Sequence, residues 1–268
     1  MRIEPLQRGD WPRFIELAGA ESWLVPESER ALFQNGWRRY LFSLRQSERI
    51  CGFVSAVPHQ QGGWIGNLIV ARDCRNRGYG AALFEHAVQL LERAGCRDLW
   101  LTASVLGRPL YEKKGFRAVD RTVRWVLAES GALQPPDAVA ADGLEMLCRQ
   151  DRKVWGDCRR DLLLPLAQQG TVLRQGRSIA LLQAGRQRRV LGPWLSEHGD
   201  PADHRRMLER LAGGGEIVAD IVASAGLETV LEAAGFRRLG ENALMVRSRQ
   251  RPGQLEGLVA LASLGSIG

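Results

Sequence analysis

The sequence of 268 residues predicts a mixed α/β (α+β) fold made of two related halves. Apolar runs and alternating patterns typical of strands are interspersed with the longer apolar period of amphipathic helices. A stretch with Gly131 and the pair Pro135-Pro136 breaks these patterns near the middle of the chain. Beyond this break, a short part of the first half recurs in altered form. We therefore predict two domains, each with strands and helices.

The sequence of the first half predicts one strand, then two helices, then a meander of strands. Alternating or continuous apolar residues mark each strand of the meander, and Ser47-Glu48 forms its first turn. The predicted strands of this part are residues 39–46, 50–57, 64–70, 99–102 and 121–127.

Two helices are predicted between these later strands. The longer one spans residues 80–94 and ends before Gly95. Its apolar residues share one face: Leu83, Phe84, Ala87, Val88 and Leu91. A brief helix over residues 109–114 is expected to end at Gly115, which suits a left-handed cap.

The turn before the longer helix is basic and contains two glycines. Its sequence is Arg75-Asn76-Arg77-Gly78-Tyr79-Gly80-Ala81. A helix start presents free backbone N–H groups, glycine allows close approach, and arginine strengthens hydrogen bonds to phosphate. The turn therefore predicts a pyrophosphate site. It is neither a Walker loop, which needs Gly-Lys-Ser/Thr, nor the G-x-G-x-x-G fingerprint, whose third glycine is absent.

Two motifs in this order resemble the GNAT superfamily of acyl-coenzyme A dependent N-acyltransferases. The basic turn fits the family's Arg-x-x-Gly-x-Gly, and residues 110–116 fit its Leu-Tyr-Glu-x-x-Gly-Phe. The resemblance implies a mixed, mostly antiparallel sheet flanked by helices in each domain. It also implies an N-acetyltransferase with acetyl-CoA as acyl donor.

The resemblance further implies a binding mode for acetyl-CoA. The pyrophosphate would meet the basic turn, the pantetheine arm would lie along residues 67–70, and a backbone amide near Val70 would stabilise the oxyanion. The cofactor-binding residues so implied are Leu68, Ile69, Val70, Arg75, Asn76, Arg77, Gly78, Tyr79, Gly80 and Ala81.

Tyr111 is the catalytic residue that the second motif implies. A neutral amine would attack the thioester directly, and Tyr111 would protonate the departing thiolate. A phenol with a pKa near 10 keeps its proton at neutral pH. The alternative is that Tyr111 is a core aromatic residue of a short helix.

The two motifs do not identify the general base or the residues that bind the acceptor. Glu21 and Glu27 are candidate bases; alternatively they cover a solvated helix face and an ordered water relays the proton. Trp23, Asn67 and Trp155 are candidate acceptor-binding residues. Trp23 could equally pack in a core, and the charges around Trp155 could equally mark a solvated helix start.

The repeat predicts how the chain is divided. We expect a catalytic domain at residues 1–128, a linker at 129–140 and a second domain at 141–268. Residues 230–237 echo residues 110–117 at a displacement of 120 positions.

The second domain resembles a degenerate copy of the first. Leu231 stands where the first domain has Tyr111, and no basic glycine turn precedes the helix around Met207. Glu197 and Asp200 precede that helix instead and would repel phosphate. This half is therefore not expected to bind coenzyme A in the family's manner.

Charge distribution argues against nucleic acid as a partner. The net charge is +7, and residues 1–128 carry 19 basic and 13 acidic side chains. No lysine-rich tail or basic stripe interleaved with aromatic residues is present. A phosphorylated cofactor in the first half accounts for the asymmetry.

Composition also indicates where the protein is located and whether it binds a metal. No run of about 18 apolar residues exists and the first residues lack a signal-peptide core, so we expect a cytoplasmic protein without membrane association. The five cysteines and four histidines lack metal-ligand spacing, so no metal site is expected.

Two functions remain in view at this point. The first is acetyl transfer to a small-molecule amine, with amino acids, polyamines, aminoglycosides and peptide amines all compatible as acceptors. The second is a non-catalytic acyl-CoA sensor; the intact Tyr111 favours the enzyme. The sequence predicts no oligomeric state.

Overall fold

A computed structural model of the chain describes residues 1–128, 142–211, 215–248 and 255–268. The predicted linker at residues 129–140 lies outside the described residues. The described strands are β1 (Arg2–Pro5), β2 (Leu41–Gln46), β3 (Arg49–Pro58), β4 (Gly62–Val70), β5 (Asp98–Ala103), β6 (Arg117–Leu127), β7 (Thr171–Gln175), β8 (Ser178–Gln183), β9 (Arg188–Ser196), β10 (Glu216–Val222), β11 (Arg237–Ser248) and β12 (Leu258–Ala260). The described helices are α1 (Trp11–Ala20), α2 (Glu27–Gln34), α3 (Tyr79–Arg93), α4 (Arg108–Lys113), α5 (Gly143–Trp155), α6 (Arg160–Ala167), α7 (Pro201–Glu209) and α8 (Glu228–Ala233).

Strands from both halves of the chain belong to one sheet. Within the described residues its order is β1-β2-β3-β4-β5-β11-β6-β10-β12-β9-β8-β7. Neighbouring strands are antiparallel except for β4 with β5, and β9 also pairs in parallel with β10. The predicted mixed, mostly antiparallel sheet with helices is confirmed.

The centre of the sheet is built by strands that cross between the halves. The second-half strand β11 lies between β5 and β6 of the first half, and β6 in turn pairs with β10. The series β4-β5-β11 thus has a counterpart in β9-β10-β6, with a parallel pair followed by an antiparallel one. Each half supplies the strand that extends the other half's sheet.

Several local predictions match the structure closely. Ser47 has a φ of 52° in the turn between β2 and β3, and Gly115 has a φ of 83° at the end of α4. Strand β6 is longer than predicted and begins at Arg117 rather than at residue 121. The extra residues pair with β11, a partner distant in sequence.

Helix α3 packs against strands β3 and β4. Its buried residues are the predicted apolar face, Leu83, Phe84, Ala87, Val88 and Leu91. Burial of such a face is the main source of stability for a helix of this kind. No helix in the described part of the chain is both long and apolar enough to cross a membrane.

Candidate active site

The basic turn between β4 and α3 has the geometry of an anion site. Gly78 is the N-cap of α3, with a φ of 78° and no side chain to cap the helix. The Ala82 amide donates to the Gly78 carbonyl at 3.0 Å, so the three preceding amides, from Tyr79 to Ala81, point out of the helix start. No acidic residue lies in the first turn of α3. The helix dipole and these amides could therefore hold a phosphate.

Open space borders this turn on the side of Gly78. A Cβ atom built on Gly78 would have no atom within 4 Å. Arg77 is exposed beside the turn, and Asn76 adopts a φ of 62°. The turn thus presents backbone amides and one basic side chain to an unobstructed region.

Arg75 and Glu21 hold the turn against the end of β4. The Arg75 Nε donates to the Val70 carbonyl at 3.1 Å, and its Nη2 donates to Glu21 Oε1 at 2.7 Å. Arg72 Nε also donates to Glu21, at 3.0 Å, and this bond is the largest cause of the lowered pKa of Glu21. A carboxylate held in two ion pairs is a weak proton acceptor.

Strand β4 separates from β5 near its middle and is bulged against β3. It pairs with β5 from Gly62 to Trp64 only. Its register with β3 shifts between the pairs Ser55–Gly66 and Phe53–Ile69, which forms a bulge. Asn67 lies in this bulge with a φ of 52°, a value uncommon outside glycine. A bulge takes one backbone unit out of the ladder, and such irregular backbone is concentrated at functional sites.

A cavity of about 480 Å³ lies next to the bulge. Both halves of the chain contribute to it. Its lining residues are Ser22, Trp23, Leu24, Val25, Glu29, Ile65, Gly66, Asn67, Leu68, Thr102, Ser104, Tyr111, Arg124, Leu239, Gly240, Glu241, Asn242, Leu264, Gly265 and Ser266. Half of these residues carry polar or charged side chains, which can orient a polar small molecule.

Tyr111 enters the cavity from α4. Its ring packs on Phe84, with ring centroids 5.1 Å apart, and its side chain is 9% exposed. Burial raises the pKa of Tyr111 to about 12. The phenol therefore keeps its proton across the neutral range. It is both a buried aromatic residue and a lining residue of the cavity, so the two interpretations of Tyr111 are compatible.

Glu29 is a buried carboxyl in the same cavity that the site prediction omitted. It lies on α2 and is 4% exposed. Burial raises its pKa to about 7, and smaller effects of Ser266, Asn67 and Arg124 act in the opposite direction. A buried carboxyl with a pKa near neutrality can accept a proton at physiological pH.

The sequence contains a signal that could have identified Glu29. The buried residues of α2 are Ser28, Glu29, Leu32 and Phe33. They recur at i, i+1, i+4 and i+5, the spacing of one helix face. A glutamate on this face is buried with the apolar residues rather than solvated.

Arg124 and Asp220 form the charged wall behind Glu29. The Arg124 guanidinium donates to both carboxylate oxygens of Asp220, at 2.7 and 2.8 Å, and to the Leu264 carbonyl at 2.8 Å. Asp220 is 1% exposed. The charge of Arg124 is thus matched by Asp220, which leaves Glu29 without an ion-pair partner of its own among these groups.

The structure brings together some of the predicted site residues and separates others. Trp23, Asn67, Leu68 and Tyr111 line the cavity. Glu21 binds the basic turn, as described above, and lies outside this lining.

Glu27 and Trp155 also lie outside the cavity. Glu27 accepts a hydrogen bond from the Arg186 amide at 3.1 Å. Trp155, at the end of α5, packs edge-on against Trp100, with ring centroids 5.2 Å apart, and carries Arg159 over its face. Trp155 therefore packs against the paired ends of β4 and β5. Its position is explained by packing between the halves.

The side chains around the cavity do not point to a metal centre. Across the residues that the structure describes, no group of three or more histidine, cysteine, aspartate or glutamate side chains is arranged to hold a metal ion. The chemistry that the cavity offers on its own residues is proton transfer by Glu29 and Tyr111 beside irregular backbone.

Comparison with known proteins adds two kinds of similarity. A family model described as "Acetyltransferase (GNAT) family" matches residues 3–116. The "[Ribosomal protein bS18]-alanine N-acetyltransferase" of Escherichia coli (strain K12) is 32% identical over 126 residues, which are 46% of this chain and 83% of that protein.

Solved structures resemble the chain over its whole length. A candidate acetyltransferase from Pyrococcus horikoshii superposes with a TM-score of 0.80 at 18% identity, covering 100% of this chain and 95% of that chain. A GCN5-related N-acetyltransferase from Sphaerobacter thermophilus superposes with a TM-score of 0.65 at 12% identity, covering 98% of each chain. At these identities the likeness concerns the fold.

Proposed function

The chain belongs to the GNAT acetyltransferase family, and we propose that it acetylates the primary amine of a small molecule. Acetyl-CoA is the acyl donor, and when bound it supplies the activated acetyl thioester. The observation that carries the proposal is the cavity in which Glu29 and Tyr111 both lie beside the bulge of β4. A general base and a general acid at one site would accelerate the acylation of an amine by a thioester.

The basic turn is the proposed holding point for the cofactor's pyrophosphate. The uncapped amides of residues 79–81 and the basic side chain of Arg77 suit a phosphate, and no acidic residue opposes it in the first turn. Arg75 supports the turn through its bonds to Val70 and Glu21. Leu68, Ile69 and Val70 of β4 are the proposed contact for the pantetheine arm.

The first prediction concerns this turn. We expect Gly78→Glu to abolish measurable binding of acetyl-CoA, because a carboxylate would enter the open space where the phosphates bind and repel them. Equilibrium dialysis of labelled acetyl-CoA measures the effect.

Gly95→Glu is the matched control for this substitution. Gly95 follows the other end of α3, has a φ of 86°, and also has open space around its Cβ position. The two variants carry the same change in charge and similar backbone strain. Equal loss of binding in both would show that the effect is not specific to the turn.

Proton transfer is assigned to two side chains. Glu29 takes a proton from the acceptor's ammonium group, for which its raised pKa is suited. Tyr111 holds the proton on its phenol oxygen and donates it toward the departing sulfur. Glu21 is disfavoured as the base because its two arginine partners lower its pKa.

The volume of the cavity, about 480 Å³, favours a small acceptor. Leu239 to Asn242 and Leu264 to Ser266 form part of its lining, and all lie beyond residues 3–116, where the family model matches. The acceptor of a relative that matches 46% of this chain therefore does not transfer directly.

A peptide acceptor is the second candidate. The relative that is 32% identical is named for an alanine of a ribosomal protein, so a protein N-terminus is an acceptor of known chemistry in this family. An N-terminal alanine presents the same primary amine to Glu29. The two candidates differ in the size of the group that carries the amine.

An acceptor panel tests the proposal. Thiol release from acetyl-CoA would be followed with amino acids, polyamines, aminoglycosides and a peptide that begins with alanine. We expect turnover with at least one small amine and slower turnover with the peptide. Turnover with the peptide alone would replace the small-molecule proposal. Binding without thiol release from any acceptor would favour the acyl-CoA sensor.

We further propose that residues 141–268 form a degenerate GNAT domain paired with a catalytic domain at residues 1–128. The repeated strand pattern described above supports this division. Helix α7 takes the place of α3, but Asp200 caps it and accepts a hydrogen bond from the Ala202 amide at 2.8 Å. Asp203 adds a second carboxylate to the first turn. A phosphate at this helix start would meet two negative charges.

A further inference from the structure

Residues 258–268 form one segment that runs from the second half into the cavity of the first. Its strand β12 pairs with β10 through Ala260 and with β9 through Leu258. The segment therefore fills the space between β9 and β10. The corresponding space in the first half, between β4 and β5, opens beside the cavity.

The segment then lies against β4 at the bulge. The Trp64 Nε1 donates to the Gly265 carbonyl at 3.1 Å, and the Ser55 hydroxyl donates to the Ser266 carbonyl at 3.3 Å. A Cβ atom on Gly66 would lie 2.2 Å from the Ser266 carbonyl oxygen. Glycine at position 66 is required for this close approach.

A tight turn fixes the orientation of Ser266. The Ser263 hydroxyl accepts hydrogen bonds from the Ser266 amide at 3.1 Å and from the Ile267 amide at 3.0 Å. Ser266 is 4% exposed. Its position is therefore set by the backbone of the segment rather than by a flexible surface loop.

Ser266 and Glu29 both line the cavity. Among the residues that the structure describes, the Ser266 hydroxyl has no hydrogen-bond partner. It is nevertheless close enough to Glu29 to lower the pKa of that carboxyl. A buried hydroxyl without a full partner costs free energy unless a ligand or water satisfies it.

Other charged groups around the cavity are already paired. Arg124 is bound by Asp220, and Glu241 accepts from Arg121 at 3.0 Å and also from Arg238. Among the charged residues of this lining, Glu29 is the one without an ion-pair partner in the described part of the chain, so a cation could pair with it.

We propose that Ser266 and Glu29 together bind the ammonium group of the acceptor, so that residues 258–268 complete the acceptor site. This inference rests on the proposed function and specifies its acceptor subsite. The ammonium donates one hydrogen bond to the Glu29 carboxylate and another to a lone pair of the Ser266 oxygen. The same segment also fills the space between β9 and β10 in the second half.

The test measures binding of the n-propylammonium ion by ligand-observed NMR to the full chain. Ser266→Ala should weaken binding at least about tenfold, since it removes a hydrogen bond to a charged group. Gly66→Ala should weaken binding as well, because the added methyl group displaces the Ser266 backbone. Ser266→Thr keeps the hydroxyl and should restore most of the affinity.

Ser196→Ala is the matched control. Ser196 is 3% exposed, and its hydroxyl also has no hydrogen-bond partner within the described ranges, but it lies on β9 and does not line the cavity. It should bind n-propylammonium as the wild type does. Unchanged binding in Ser266→Ala, or no binding by the wild type, would overturn the inference.

The outcome for the subsite can be separated from the outcome for the proposed function. Weakened n-propylammonium binding in Ser266→Ala, with no amine acetylated, would support the ammonium site and reject the enzyme proposal. Acetylation of an amine with the same KM in wild type and Ser266→Ala would support the enzyme proposal and reject the ammonium site at Ser266. If the chain acetylates an amine and Ser266 binds its ammonium group, Ser266→Ala should raise the KM for the amine and leave the KM for acetyl-CoA unchanged.

Discussion

Replacing Tyr111 by phenylalanine is expected to lower kcat by roughly a hundredfold or more while acetyl-CoA binds with unchanged affinity. The phenol oxygen is removed, but the ring that packs on Phe84 remains. Proton donation is thus lost without loss of the packing. Steady-state kinetics with the best amine of the panel, together with cofactor binding, measures both quantities.

Tyr40→Phe serves as the control for Tyr111→Phe. Tyr40 packs against Trp37, with ring centroids 5.9 Å apart, and does not line the cavity. Its variant should retain wild-type turnover. Wild-type turnover in Tyr111→Phe would remove Tyr111 from the role of general acid and leave it as a core aromatic residue.

Replacing Glu29 by glutamine is expected to lower kcat/KM by about a hundredfold or more above neutral pH. In the wild type, kcat/KM should rise as pH increases through about 7, because the base must be ionised to take a proton. In Glu29→Gln this rise should be absent. A profile that still rises through the same pH range in the variant would assign the base to another group.

Glu27→Gln is the matched control on the same helix. Its carboxyl accepts from the Arg186 amide outside the cavity, so its pH profile should match that of the wild type. If Glu27→Gln instead loses the rise, the sequence-based candidate Glu27 would be restored as the base.

Stability gives an independent measure of Glu29. Its pKa in the folded protein is raised above the ordinary 4.5, so folding favours the protonated form. The free energy of unfolding should therefore fall as pH rises from about 4.5 to about 7, and remain lowered above. Glu29→Gln removes this loss and should be more stable than the wild type at alkaline pH, by about 3 kcal/mol. Urea denaturation measures the difference.

Local motifs predicted the structural elements of the candidate site that depend on a few consecutive residues. The glycine turn with Gly78 and the short helix with Tyr111 have local causes, a left-handed N-cap and a helix that ends at Gly115. These features follow from backbone preferences that a sequence displays directly.

The remaining features depend on contacts between residues far apart in sequence. The insertion of β11 between β5 and β6, and the approach of Ser266 to Gly66, join the two halves across more than a hundred residues. No local pattern specifies such pairing. The spacing along α2 indicates that Glu29 is buried, but its place in a cavity lined by both halves is not visible in that spacing. Trp155 packs against Trp100 of the first half, a contact that its local sequence does not show.

The most direct test of the account is a calorimetric titration of the full chain with acetyl-CoA. The basic turn at Gly78 predicts one binding site in the first half. No site is expected in the second half, because carboxylates stand at the start of α7 and strand β12 fills the space between β9 and β10. A stoichiometry of one site per chain is the expected result. Two sites per chain would contradict the degenerate second half, and no binding would contradict the proposed cofactor site.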